Sequence, residues 1–159
     1  MSATLCRLRW PFALAALSLM TTAATAEPVT ATCSPTKVRV MASVIDGTYT
    51  LGGTWKSIPE AAVSFTQGGS EPSCVVVRFS AMAFGTSVLV RIRAMMDNTT
   101  AAAPGEVYFG IDNKDTSAAE AHSFDFLFPD VAPGAHVVRV QMNGGGYIHR
   151  HTTIVEHAP

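Results

Sequence analysis

Hydrophobic alternation with a period of two recurs along most of the chain, and it leaves little room for a helical core. "KVRVMASV" sets Val38, Val40, Ala42 and Val44 on one side and Lys37, Arg39, Met41 and Ser43 on the other. "SVLVRIRAMM" places Val88, Val90, Ile92, Ala94 and Met96 against Arg91 and Arg93. "HSFDFLFP" aligns Phe124, Phe126 and Phe128, and "AHVVRVQM" aligns His136, Val138, Val140 and Met142 against Arg139 and Gln141. Successive side chains of a strand point to opposite faces, so each segment predicts a half-buried strand with its apolar side inward. "AAVSFTQ", "CVVVRFSAM", "EVYFGI" and "YIHRHTTIVEH" extend the set, and "GTYTLGGTW" adds a short candidate.

Turn-forming clusters separate these segments: "DGT", "QGGSEPS", "FGTS", "DNTTAAAPGE", "DNKDTSAAEA", "PDVAPGA" and "NGGG". No stretch keeps a helical period over three turns, and neither a repeat nor a long linker divides the chain. Short strands at such spacing predict one antiparallel β-sandwich. Within it, "FDFLFPDVAPGAHVVRVQMNGGGYIHRHTTIVEH" resembles the closing part of bacterial immunoglobulin-like and fibronectin-type domains. That resemblance implies an immunoglobulin-like sandwich and carries no catalytic residues. Trp55 lies between Cys33 and Cys74 but not at the core position of antibody domains, and the early Cys33 reads as a staple of the N-terminus, so a jelly roll stands as the alternative topology.

The first 26 residues read as a secretory signal peptide, leaving 27–159 as the β-sandwich domain. Arg7 and Arg9 precede the apolar "PFALAALSLM", and Ala24 and Ala26 form an A-x-A exit before Glu27. The apolar stretch falls short of the roughly 20 residues a spanning helix needs. No transmembrane segment is expected after cleavage, and the expected location is periplasmic or secreted. Without Arg7 and Arg9, nine Lys and Arg face twelve acids, so residues 27–159 carry a net charge near −3. That balance gives no reason to expect nucleic acid as a partner. Cys6 leaves with the signal, and the even pair Cys33 and Cys74 in an oxidising compartment predicts one disulfide.

All five histidines, His122, His136, His149, His151 and His157, fall near the end of the chain. On a regular strand His149 and His151 share a face. With His136, His122 or His157 as a third ligand they would suit Zn²⁺ or Cu²⁺. Met95, Met96 and Met142 would add soft sulfur for Cu(I). The plainer reading makes the histidines and methionines strand residues, their side set by whether Thr153 and Val155 or Ile148 and Ile154 face the core. A bulge would mix the two registers. "GIDNKDTSAAE" gathers Asp112, Asn113, Asp115 and Glu120, which reads either as a Ca²⁺ loop or as a solvated turn. Arg39, Arg91, Arg93 and Arg139 occupy the polar sides of three strands. Were those strands neighbours, their guanidiniums would form a face for anionic sugar or phosphate; the plainer reading is that they pair across strands on the wet side of a sheet and block edge association. Trp55, Tyr49, Tyr108 and Tyr147 are the aromatic residues with a polar tip available for stacking.

Catalytic signatures such as G-x-S-x-G, H-E-x-x-H and the Walker A loop are absent from the sequence. The expectation is a non-catalytic binding or interaction module of the bacterial envelope or exterior, without cofactor, acting on a protein or carbohydrate partner. The alternative is a periplasmic Cu- or Zn-binding protein that uses the C-terminal histidines. A hydrolase would need a pocket joining a histidine to Asp125 or Asp130 and a serine.

Overall fold

The computed structural model describes residues 29–31, 33, 35–43, 53–85, 90–109 and 120–159. Residues 1–26, where a signal peptide is expected, most of "GTYTLGGTW" and the loop bearing Asp112, Asn113 and Asp115 lie outside them. Eight strands follow in chain order: β1 (Lys37–Ser43), β2 (Lys56–Gln67), β3 (Ser73–Gly85), β4 (Val90–Met96), β5 (Thr100–Phe109), β6 (Glu120–Val131), β7 (Gly134–Asn143) and β8 (Gly146–His157). Each contains or overlaps an alternating segment of the sequence. β5 also takes in "TAAAPG", which its Thr, Ala and Pro content marks as a turn.

The strands form one antiparallel sheet in the order β1-β8-β3-β6-β5-β4-β7-β2. Between β5 and β6 the pairing is reduced to one register position, Ala103 opposite Leu127. The sheet folds over on itself there, and its two edge strands, β1 and β2, come back against each other. Ser43 Oγ on β1 donates to Glu60 Oε2 on β2 at 2.7 Å across that seam. The result is an all-β structure close to a barrel.

Its interior is the set that alternation marks. Phe79, Phe126, Phe128, Ile92, Met142, Val75, Val77, Val90, Val138 and Val140 are fully buried and form one cluster. Met96 joins that cluster, so two of the three candidate soft-metal sulfurs fill core volume, the usual task of a methionine. Cys33 and Cys74 form the expected disulfide, tying the segment before β1 to the start of β3.

β1 departs from the expected phase. Arg39, Met41 and Ser43 lie opposite Val155, Thr153 and His151, the inward residues of β8, so the odd-numbered side of β1 faces inward. Val38 and Val40 therefore point outward and are 59% and 60% exposed. Side-chain period is two, so a shift of one residue in register inverts a whole strand. Here the register is fixed by pairing with β8, and the seam it borders is lined by polar groups of β2.

β8 contains a second departure. Ala81 pairs with His151 and Met82 with His149, leaving Arg150 as an extra residue at φ 37°. This is a β-bulge. Gly146 and Ile148 are buried before it, and His151, Thr153, Val155 and His157 after it, so the inward phase switches from even to odd. Both registers weighed from the sequence occur, one on each side of Arg150. Because a left-handed backbone favours glycine, Arg150→Gly should leave stability unchanged or raise it by up to about 1 kcal/mol. Urea unfolding of the variant checks this; a loss beyond that range would mean that the arginine side chain itself holds the bulge.

Candidate functional site

The bulge decides the fate of the histidine pair. His151 turns inward and is 4% exposed, whereas His149 lies on the other side of the strand and is half-buried. The shared face expected of His149 and His151 is thus corrected: the extra residue between them rotates one away from the other. His151 Nε2 donates to the Pro59 carbonyl at 2.9 Å, and its ring lies 5.7 Å from that of Phe79. Burial lowers its pKa, more than the Pro59 carbonyl and the charge of Glu60 raise it. His157 is also buried, its Nδ1 donating to the Ala158 carbonyl and its ring 5.0 Å from Phe65. Among the described residues no three His, Cys, Asp or Glu side chains gather as a metal ligand set.

His136 is held elsewhere, by a turn that the sequence marks only as "DN". Asp97 and Asn98 both adopt positive φ, 51° and 62°, and Thr99 N donates to the Met96 carbonyl at 3.0 Å. Two left-handed central residues make the type I′ turn that matches the twist of a β-hairpin. The turn aims Asp97 at β7. Its Oδ1 accepts from Val137 N at 2.8 Å and its Oδ2 meets His136 Nδ1 at 2.7 Å. His136 Nε2 lies 2.8 Å from the Ala132 carbonyl. A carboxylate and a carbonyl both accept, so the ring satisfies them together only as imidazolium.

Burial pulls the His136 pKa down, yet the Asp97 bond, the Ala132 carbonyl and the Asp97 charge outweigh it and the pKa is raised. Burial likewise acts to raise the Asp97 pKa, but His136, the Val137 amide and Arg139 together lower it. A raised histidine pKa contributes stability in full below its unfolded value of about 6.5, and that contribution is lost as pH rises through the folded pKa. A lowered carboxylate pKa contributes above about 3.9, lost as pH falls through the folded value. The pair is therefore worth most between about pH 4 and 6.5. Asp97 is nearly half exposed, so about 1 kcal/mol is a reasonable scale. His151 works oppositely: its contribution is complete above about pH 6.5 and fades as pH falls toward its lowered folded pKa. Melting temperatures from pH 5 to 9 should show His136→Gln flattening the loss on the alkaline side. An unchanged alkaline limb would mean that the ring is neutral in the native state.

Three of the four candidate arginines share one surface. β4 lies between β5 and β7, and register places Tyr108, Arg91 and Asn143 on one rung and Glu106, Arg93 and Gln141 on the next. Arg139 lies opposite Met95 on a further rung. All point away from the core, whose residues alternate with them on β4 and β7. Arg91 Nη1 lies 3.3 Å from Glu106 Oε1, and its Nη2 donates to Asn143 Oδ1 at 3.1 Å. Arg93 Nε donates to Gln141 Oε1 at 2.9 Å, and Arg139 Nη1 to Asn98 Oδ1 at 3.3 Å. Trp55, just before β2, lies against the first two: the Arg93 guanidinium is 4.2 Å and that of Arg91 5.7 Å from its ring centroid. Tyr108 closes the opposite side at 52% exposure.

Arg39 is not on these rungs but meets the outward side of β2 and β7 from across the margin. Inversion of β1 sends it to the seam, where it borders a shallow depression with Ser64, Thr66, Ala135 and Val137. The amides and Glu106 that brace the other arginines are the part a sequence reading passes over, because only cross-strand register brings them into contact.

One further hollow, of about 360 Å³, brings His122 together with Ser80, Ser123, Arg150 and Thr152. Ser80 Oγ donates to Ser123 Oγ at 2.8 Å, while His122 Nε2 is 3.0 Å from Glu120 Oε2. Asp125 is committed to Arg78 at 2.8 Å. Asp130 lines a separate cleft with Asp97 and His136. In that cleft both ring nitrogens of the histidine already have acceptors.

No family model matches the chain, and no curated protein matches it. Among solved structures, the chain is similar to part of dimeric latent PorU from Porphyromonas gingivalis, at 8% identity and a TM-score of 0.53 over 76% of this chain. This chain spans only 12% of the length of that protein. It is similar also to CBM35 from Cellvibrio japonicus Abf62, at 10% identity and a TM-score of 0.38 over 77% of this chain and 99% of that one. A protein of the disulfide-linked Bacillus endospore appendages matches at 11% identity and a TM-score of 0.37, over 83% of this chain and 100% of the other. At such identities the first likeness is one of fold: an antiparallel β-structure of this kind occurs as one part of a larger protein.

Proposed function

We propose that the chain is an exported, non-catalytic binding module of jelly-roll type whose working surface is the outer face of β5-β4-β7-β2. The strand order supports the topology. Halves ordered β1-β8-β3-β6 and β5-β4-β7-β2 set the first strand beside the last, as a double Greek key does. An immunoglobulin-like order would set β1 beside β2 within one sheet. The disulfide supports export to an oxidising compartment.

The observation that carries the functional reading is the array of Arg91 and Arg93 between Trp55 and Tyr108, with Arg139 on a further rung of the same face. Guanidiniums held by neighbouring amides, with aromatic rings on both sides, form a preorganised polar surface. A catalytic role has less support. The Ser80 hydroxyl is bonded to Ser123, and His136 has no ring nitrogen left to act as a base.

The test is a binding screen of residues 27–159 against arrayed glycans and purified envelope proteins, beside an Arg91→Ala/Arg93→Ala/Tyr108→Ala variant. A ligand retained by the native chain and lost by the variant upholds the reading. A ligand held equally by both, or no ligand at all, removes this face from consideration.

A further inference from the structure

Resting on that reading of the face, we propose that its ligand is a carboxylate-bearing saccharide chain, a polyuronate in chemical class. Among the described residues the charge on the face is positive in balance. Arg91, Arg93 and Arg139 share it with one rung carboxylate, Glu106, which is bonded to Arg91. Asp97 is near Arg139 but is held by His136 and the Val137 amide. Arg93 and Arg139 donate instead to neutral amides, Gln141 and Asn98, which orient a guanidinium without cancelling its charge. The chain as a whole is slightly acidic, so this surplus is a property of the site and not of a generally basic protein.

Spacing and chemistry both fit a sugar acid. Arg91 and Arg93 are two residues apart on one strand, which sets their side chains about 6.5–7 Å apart at the backbone. Arg91 is already engaged by Glu106 and Asn143, so the fork offered to a carboxylate of an extended polymer is that of Arg93, which bonds Gln141 through Nε; a planar guanidinium matches a carboxylate with paired hydrogen bonds. Asn98 and Gln141, whose side-chain oxygens accept from Arg139 and Arg93, carry amide N–H groups that suit hydroxyl acceptors. Tyr108, half exposed at the rung end, presents a flat apolar ring for the C–H face of a pyranose with a hydroxyl at its rim. An acidic protein partner would call for a larger apolar anchor than one tyrosine and a tryptophan already covered by arginine.

The experiment is affinity electrophoresis through gels containing polygalacturonate, its fully methyl-esterified form, or dextran, followed by calorimetry with a galacturonate oligomer. Retardation by polygalacturonate alone is expected. Arg93→Ala and Tyr108→Ala should each weaken binding at least tenfold, and Arg93→Lys should weaken it less than Arg93→Ala. Melting curves confirm that each variant is folded; Tyr108→Ala, at an exposed position, keeps the test valid should Arg93→Ala unfold. Equal retardation by the esterified polymer or by dextran would overturn carboxylate recognition while leaving a saccharide-binding face. No retardation, with another ligand from the screen lost in the face variant, would overturn the saccharide and leave the module. Polygalacturonate binding that survives all three substitutions would overturn both.

Discussion

A Cys33→Ser/Cys74→Ser variant should unfold with about 3–4 kcal/mol less stability than the native chain, on a chain-entropy scale for a loop of this length. The cysteines are 41 residues apart in sequence, so the bond removes much of the freedom of the unfolded chain. For a domain of this size the loss corresponds to a fall in Tm of roughly 10 °C or more. The bond also acts on one element in particular. β1 pairs with β8 on one side only, and every residue but Ser43 is exposed. With little buried area of its own, β1 depends on the tether just before it to stay in register. Hydrogen exchange should therefore show β1 amides losing protection by a larger factor than those of β7, which pairs on both sides. A variant whose Tm and β1 protection match the native chain would show that β1 is held by its ladder and the seam alone.

The eight strands were legible because the driving pattern is local: alternation along one segment reports burial on one face wherever the sheet half-buries it. Phe126 with Phe128, Val138 with Val140, and Ile92 with Ala94 all lie on the inward side as read. β1 was not legible, because its valines obey the same local pattern while its register belongs to β8. A strand at the margin of a sheet gains little from burying either side, so pairing decides and the pattern is overridden. β8 failed differently. Its sequence contains two incompatible alternations, Gly146 with Ile148 and Thr153 with Val155, and only an inserted residue at positive φ reconciles them.

The site was legible in its charges and not in its assembly. Arg91, Arg93 and Arg139 could be placed on polar strand sides from spacing alone, but their adjacency depends on β7 crossing to pair with β4. Arg39 obeyed the same spacing and ended at the seam, for the reason that inverted Val38 and Val40. Asp97 illustrates a residue whose role is wholly tertiary. Its sequence signal is a turn, and its partners Val137 and His136 lie about 40 positions away. The disulfide was readable from the cysteine count because the number of alternatives was small.

Phe79→Ala should cost about 3–5 kcal/mol, as expected for a large aromatic removed from a packed interior. Phe79 is fully buried on β3, the strand that pairs with both β6 and β8, and its ring contacts that of His151. Truncation leaves a cavity bordered by that histidine, whose Nδ1 has no hydrogen-bond partner among the described residues. Water entering there would recover part of the loss by bonding to the ring nitrogen, which sets the lower end of the range. The informative comparison is Val40→Thr, a near-isosteric change that replaces a methyl by a hydroxyl. At an interior position such as Val140 it should cost roughly 1–3 kcal/mol, because the hydroxyl loses its water. On β1 the same change should fall within about 0.5 kcal/mol of zero, as surface substitutions do. Equilibrium urea unfolding of Val40→Thr beside Val140→Thr measures the difference directly. Equal losses at the two positions would place Val40 in the interior and restore the phase that alternation alone assigns to β1. A neutral Val40→Thr beside a costly Val140→Thr is the result expected of a strand whose orientation is dictated by its neighbour.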